Sequence, residues 1–281
     1  MTIKAGVIGW PVAHSLSPVL HGYWLKQYGI DGSYEKIPAA PEEFAATIAR
    51  LQREGFSGVN CTVPHKEAAF ALADSNDDIA RSAGATNLLV FRHGAIAGRN
   101  TDAYGLMASL KEAIGPLGGK AVVLLGAGGA ARGALVALRQ LGAGCIYLMA
   151  RNPERATILA FEASTPSAEG SVTEVRSLDT FPRIAGRAAL VVNATSAGMG
   201  GNPPLDLDLS ALPREAAVCD IVYHPLETQL LKDAKARGLK TIDGLGMLMH
   251  QAVPSFEAFF GARPEVTPGL RAALVEALGA R

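Results

Sequence analysis

The stretch GVNCTVPHK (58–66) sets two small polar side chains, Asn60 and Thr62, on one face of an alternating run and a lysine, Lys66, just beyond it. Alternation with a period of two reads as a half-buried strand. Pro64 ends that strand, because it has no N–H to offer a ladder and disfavours helix for the residue before it. Open α/β sheets bind ligands at the carboxyl ends of their strands. An amide, a hydroxyl and an amine there would serve hydrogen bonding and proton transfer. The same residues are also compatible with an edge strand facing water and a surface lysine in the first turn of the helix HKEAAFALA.

A second constellation is more specific. VVLLGAGGAARGALVAL carries Gly126, Gly128 and Ala131 in G-x-G-x-x-A spacing, with Gly129 and Ala130 inside the turn. An apolar strand precedes it and a helix-forming run follows, the context that separates a dinucleotide fingerprint from a chance glycine cluster. The first glycine permits the tight turn, the second lets backbone approach a pyrophosphate, and a small third residue lets helix and strand pack closely. The N–H groups and positive dipole end of the helix then hold phosphate. The next strand, CIYLMAR, ends at Arg151, where NAD enzymes place a carboxylate on the adenine ribose. Arg155 follows one helical turn later, and Asn152 adds a neutral hydrogen bond. Guanidinium groups bind a 2′-phosphate that a carboxylate would repel, so NADP is favoured over NAD, with Glu154 blunting the preference.

These residues need elements to hold them. AGVIGW (5–10), GSYEKIPA (32–39) and FSGVNCTV (56–63) read as strands, SPVLHGYWLKQYG (17–29) and PEEFAATIARLQREG (41–55) as helices, and NLLVFRHGAIAGRN (87–100) as a hairpin turning at Arg92-His93-Gly94. LMASLKEAIGPLGG (106–119) reads as a helix ending in a Gly/Pro loop. KAVVLLG (120–126), CIYLMAR (145–151), ALVVNAT (189–195) and AVCDIVY (217–223) are near-continuous apolar runs, the texture of a parallel sheet covered on both faces. The helices at 246–261 and 268–279 have no strand left to pair with, and spacing does not assign them to either half.

A chain of 281 residues forms one large domain or two ordinary ones. Its 26 basic and 26 acidic residues cancel without a block of like charge, which argues against nucleic acid or an anionic membrane as partner. No apolar run is long enough to span a bilayer, and MTIKAGVIGWP lacks the length of a secretory signal, so a cytoplasmic location is expected. Cys61, Cys145 and Cys219 sit apart in apolar runs and are expected to be buried free thiols. The six histidines form no ligand cluster, so no metal is expected.

SLSP (15–18), NCTVPHK (60–66), AGATN (83–87), NTD (100–102), GAGGAAR (126–132), NATSAGM (193–199), DIVYHPLETQLL (220–231) and GLGMLMHQA (244–252) together resemble the shikimate dehydrogenase family along nearly the whole chain. The resemblance implies an N-terminal α/β substrate domain, 1–105 with 244–281, plus a Rossmann-type parallel-sheet NADP-binding domain, 106–243, with a cleft between them. It implies NADP-linked, reversible reduction of 3-dehydroshikimate to shikimate, small-molecule partners only, and a monomer or homodimer. Carried over, Ser15 and Ser17 hold the substrate carboxylate, and Asn60, Thr62, Asn87 and Gln251 the ring hydroxyls. Tyr223 closes the pocket, and Lys66 with Asp102 form the catalytic pair. Thr195, Ser196, Gly244 and Met247 line the cofactor. Structural readings stand beside these: Ser17 or Asp102 as a helix cap, Asn87 as a turn residue, Gln251 satisfied by protein. The family often has Asn-Arg-Thr where this chain has Ala150-Arg151-Asn152, and glycine where it has Ala103. A quinate-active relative using NAD or NADP and a non-catalytic shikimate-binding sensor are the alternative functions.

Overall fold

The computed structural model describes residues 2–162 and 170–279. The chain forms two compact units, Met1–Asp102 with Leu248–Arg281, and Ala103–Met247.

The first unit holds β1 (Ile3–Gly9), β2 (Gly32–Pro38), β3 (Phe56–Cys61), β4 (Ser75–Asn76), β5 (Leu88–Arg92) and β6 (Ala95–Arg99), in the sheet order β2-β1-β3-β5-β6-β4. β1, β2 and β3 run parallel, and β5 runs antiparallel to both β3 and β6. His93 (φ 51°) and Gly94 (φ 81°) turn the β5–β6 hairpin with two positive φ values, which match the twist of the strands they join.

α1 (Ser17–Tyr28) has Pro18 in its first turn and stops at Gly29, whose left-handed φ of 61° no helix continues. α2 (Phe44–Arg53) is shorter than the spacing predicts. Residues Pro41–Glu43 form a 3₁₀ turn instead, because the Glu43 carboxylate folds back to accept the Ala40 N–H at 3.1 Å. β3 likewise ends two residues early, although Thr62 N still donates to Ile8 O at 2.9 Å. α3 (Lys66–Leu72) and α4 (Asp78–Ala83) follow. α5 (Asp102–Ile114) starts before the expected Leu106, because Asn100 Oδ1 accepts the Asp102 N–H at 3.1 Å, and Gly115 at φ 71° ends it.

The second unit holds β7 (Ala121–Leu125), β8 (Cys145–Met149), β9 (Val172–Arg176), β10 (Ala188–Asn193), β11 (Ala217–Asp220) and β12 (Lys240–Ile242), with α6 (Gly129–Gln140), α7 (Pro153–Glu162), α8 (Phe181–Ala185) and α9 (Gln229–Ala236). All its strand pairs are parallel, in the order β12-β11-β10-β7-β8-β9. Strands one to six of this unit thus lie 6-5-4-1-2-3, the doubly wound order read from its other edge, and the order reverses between β7 and β10. Val123, Leu125, Val191 and Val218 pack with Phe181 and Leu230 in its core. Cys61 and Cys219 are buried thiols, but Cys145 is half-buried, since it opens β8 beside the edge strand β9 and donates toward Glu174 Oε1. Among the described residues no helix is long and apolar enough to cross a membrane.

α10 (Gly244–Phe260) begins in the second unit and ends in the first, where α11 (Pro268–Gly279) also belongs. There Phe256 meets Trp24 with ring centroids 5.4 Å apart, and Trp24 Nε1 donates to Glu265 O at 3.1 Å. His21 lies inside this aromatic cluster, stacked on Tyr34 at 3.9 Å, with 0% exposure and no hydrogen-bond partner at either ring nitrogen. Burial lowers its pKa from 6.5 to about 3, so the folded chain holds it neutral. The unfolded chain binds the proton below 6.5, so this contribution is full above that value and is lost as pH falls toward 3. Complete loss amounts to something on the order of 5 kcal/mol. Denaturant unfolding across this range should therefore show stability rising with pH, and His21→Phe should flatten that slope. An unchanged slope in the variant would exclude His21 as its source.

Candidate active site

In the first unit, polar side chains gather where β3, β5, α3, α5 and α10 meet. Lys66 opens α3 because the turn before it is held on two sides. His65 N donates to Thr62 O at 2.9 Å, and the buried His65 ring bonds Ala39 O at 2.9 Å and stacks on Phe44 at 4.6 Å. His65 thus anchors the turn. Asp102 is the first residue of α5, with the cap supplied by Asn100. Lys66 Nζ donates to Asp102 Oδ2 at 2.5 Å, with side-chain exposures of only 12% and 6%.

Asn87 organises the group. Its Nδ2 donates to Asp102 Oδ1 and Thr101 Oγ1, both at 2.9 Å, and approaches Gln251 Oε1 at 3.4 Å. Its Oδ1 accepts the Thr101 N–H at 2.7 Å. Gln251 is further held by its Nε2, which donates to Leu248 O at 3.0 Å. Both carboxylate oxygens of Asp102 are therefore occupied, one by the lysine and one by the amide. An ammonium has three N–H donors, so this contact leaves Lys66 two more.

Asn60 forms an adjoining network. Its Nδ2 donates to Asn87 O (3.1 Å) and to Ser255 Oγ (2.8 Å), and its Oδ1 accepts from Tyr34 Oη at 2.8 Å. The Tyr34 hydroxyl also meets the Ser17 side chain, and burial pushes its pKa up, keeping it a donor. Ser17 is not the cap of α1: that position belongs to Leu16, which has no side-chain cap, and Ser17 N donates to Ser15 Oγ at 3.3 Å. Thr62 is half-buried just past β3. Ser15, Ser17, Asn60, Thr62, Lys66, Asn87, Asp102 and Gln251 all lie in the first unit, and Tyr223 in the second. Tyr34, Thr101 and Ser255 escaped the reading of the sequence. Ser255 was signalled by its place one turn after Gln251 on the same helix face; Tyr34 gave no such signal.

In the second unit the glycine turn follows β7. Gly126 has φ 116°, and a Cβ there would sit 2.9 Å from Ala194 O, so only glycine fits. A Cβ on Gly128 would meet nothing within 4 Å. Gly128 starts α6 in extended conformation without a side-chain cap, and Gly129, Ala130 and Ala131 make up its first turn, whose N–H groups lack intrahelical acceptors. An open backbone cradle at a reversal of strand order fits a dinucleotide pyrophosphate. Arg151 and Arg155 are exposed past β8, and Asn152 Oδ1 caps α7 by accepting the Arg155 N–H at 3.1 Å. Thr195 is half-buried and Ser196 exposed past β10. Gly244 opens α10, where a Cβ would lie 2.3 Å from Ile221 O, and Met247 is buried one turn later.

A doubly wound unit with an open glycine cradle, joined to an α/β unit holding a lysine–carboxylate pair, has the make-up of a nucleotide-dependent oxidoreductase. A family model for the shikimate dehydrogenase substrate binding domain matches residues 7–89. The chain is 51% identical to the shikimate dehydrogenase (NADP(+)) of Paramagnetospirillum magneticum over 272 residues, 95% of this chain and 96% of that one. Its fold is similar to shikimate 5-dehydrogenase from Thermus thermophilus, solved with NADP(H) and shikimate (TM-score 0.86, 38% identity, 98% and 100% of the two chains). It is also similar to quinate dehydrogenase from Corynebacterium glutamicum, solved with NAD (TM-score 0.88, 30% identity, 98% and 99%). The chain belongs to the shikimate dehydrogenase family.

Removing the Asn87 amide strands the Thr101 N–H and Asp102 Oδ1 in a buried place. Asn87→Ala should cost roughly 2–4 kcal/mol in urea unfolding. A midpoint equal to that of the unaltered protein would mean these groups find water or new partners.

Proposed function

We propose that this chain catalyses the NADP-dependent, reversible reduction of 3-dehydroshikimate to shikimate, with the first unit as substrate domain and the second as dinucleotide domain. The observation that carries the reading is the 2.5 Å contact of Lys66 with Asp102, both nearly buried and braced by Asn87.

When bound, NADP supplies the hydride acceptor or donor for the substrate's secondary alcohol or ketone. The protein's task is the proton on that oxygen. Lys66 has spare N–H donors to give a proton to the developing alkoxide, and takes it back in the reverse direction. Asp102 keeps the ammonium oriented, and its own rotamer is set by Asn87. Asn60, Thr62, Asn87 and Gln251 hold the ring hydroxyls. Ser15 and Ser17 hold the carboxylate, and Tyr223 is a further substrate contact. Asn60 has both amide protons engaged within the protein, so its share in substrate binding is the remaining acceptor capacity of Oδ1.

On the cofactor side, the first-turn N–H groups of α6 and the turn Gly126–Ala131 take the pyrophosphate. Arg151 and Arg155 take the 2′-phosphate, while Thr195, Ser196, Gly244 and Met247 line the dinucleotide. We place the protein in the cytoplasm, as a monomer or homodimer. The quinate reading draws on the likeness to the Corynebacterium enzyme, since two serines at the carboxylate end leave polar contacts for an extra hydroxyl.

Initial rates followed by reduced-nicotinamide absorbance, with shikimate or quinate each paired with NADP or NAD, test the assignment. Turnover confined to shikimate with NADP is the expected result; binding of shikimate without turnover in any pairing would instead make the protein a sensor. Lys66→Ala should lower kcat by roughly 10²- to 10⁴-fold while retaining shikimate binding. Arg151→Ala combined with Arg155→Ala should raise KM for NADP at least roughly tenfold and leave KM for NAD nearly unchanged. Equal effects on both cofactors would remove the arginines from 2′-phosphate recognition.

A further inference from the structure

Asp220 closes β11 and is the register partner of Asn193 across the β10–β11 ladder. It is 0% exposed. Its Oδ1 accepts Asn193 Nδ2 (2.9 Å) and the Val222 N–H (3.0 Å), and its Oδ2 accepts Thr228 Oγ1 (2.7 Å). All three donors are neutral. Burial pushes the Asp220 carboxyl pKa up, and the hydrogen bonds pull it part of the way back. A carboxylate removed from water without a cation is costly, and an asparagine would make most of the same bonds without that cost.

What the carboxylate joins gives it a role. Through Asn193 Oδ1, which accepts both Thr195 N (3.0 Å) and Thr195 Oγ1 (2.7 Å), it fixes the loop after β10. Thr195 Oγ1 in turn accepts the Ala197 N–H at 3.1 Å. Through Val222 and Thr228 it grips both ends of the segment that carries Tyr223, and Thr228 also caps α9 by accepting the Leu231 N–H at 3.4 Å. Two glycine contacts extend the reach. Gly126 leans on Ala194, and Gly244 leans on the Ile221 carbonyl, so neither turn tolerates movement of the backbone behind it.

We propose that Asp220 is a positioning residue for the reaction, locking the 194–197 loop to the 221–228 segment so that Thr195, Ser196 and Tyr223 are presented in fixed register. It acts through Asn193 and Thr228 and touches neither substrate nor dinucleotide. The inference rests on the dehydrogenase reading above, in which those three residues serve cofactor and substrate.

The test compares Asp220→Ala, Asp220→Asn and Thr228→Val with the unaltered protein by calorimetric titration of NADP⁺, by KM and kcat with shikimate, and by near-UV circular dichroism. Asp220→Ala, folded at the assay temperature, should bind NADP⁺ roughly tenfold more weakly and raise KM for shikimate. Asp220→Asn should recover most of the affinity, because its oxygen still accepts from Asn193 and Val222 while its amide donates to Thr228. Affinity and KM equal to the unaltered protein in folded Asp220→Ala would overturn the proposal. An Asp220→Asn variant as impaired as the alanine would also overturn it, since charge and not placement would then be at work. Should Asp220→Ala not fold, Thr228→Val decides: weakened NADP⁺ binding supports the lock, and unchanged binding refutes it. Unaltered protein that binds NADP⁺ without oxidising shikimate would sink the dehydrogenase reading, yet the titrations would still judge Asp220.

Discussion

The first unit's site depends on one primary amide held out of water. Asn87 is 3% exposed, and a buried amide is tolerated only when its donors and acceptor are met. Its partners are Thr101 and Asp102, where the chain turns into α5, and Gln251 on α10. Satisfying that side chain therefore requires β5, the start of α5 and a helix from the far end of the sequence to come together. Once they do, Asp102 has one oxygen occupied and a single direction left for the other, and Lys66 lies in that direction at 2.5 Å. The lysine needs no special loop; it needs only to be the first residue after a turn that His65 has already pinned to Ala39.

Elements whose signals are local were legible. The strand β3, the hairpin at His93-Gly94 and the parallel second sheet follow from period, turn chemistry and apolar runs, because each depends on neighbours within a few residues. The glycine cradle was legible for the same reason. Side-chain reach was not. Glu43 folding back on Ala40 tightens the start of α2, and Asn100 accepting the Asp102 N–H starts α5 four residues before its apolar pattern does. Neither leaves a trace in hydrophobic spacing. Long-range pairing was harder still: spacing alone left the C-terminal helices unassigned, and only the family resemblance placed them, because the rings that seat them, Trp24 and Phe256, are separated by most of the chain.

The site residues divide along the same line. Lys66, Asp102, Asn87 and Gln251 were named from motifs, and the structure brings them into one network. Tyr34 carries no motif, yet its hydroxyl joins Asn60 to the start of α1. Its position follows from β1–β2 pairing and the stack on His21, features that emerge only after the sheet exists. Asn152 shows the converse: a residue read as a ligand contact has its side-chain oxygen engaged in capping α7.

Each unit holds a buried asparagine–aspartate pair, Asn87 just before β5 with Asp102 at the start of α5, and Asn193 with Asp220 at the ends of β10 and β11, and the difference between the two pairs is electrostatic. Asn87–Asp102 adjoins a lysine, so the carboxylate's charge is balanced and the ammonium keeps donors for another oxygen. Asn193–Asp220 has three neutral donors among the described residues, one at the end of β10 and two in the segment ahead. A balanced pair with spare donors is suited to exchanging a proton with a bound molecule. A carboxylate whose oxygens are all taken by its own chain has nothing to exchange, and its effect is confined to the placement of the backbone it holds. The same two side-chain types are thus suited to proton transfer in one unit and to positioning in the other, and the presence or absence of one cation separates the two settings.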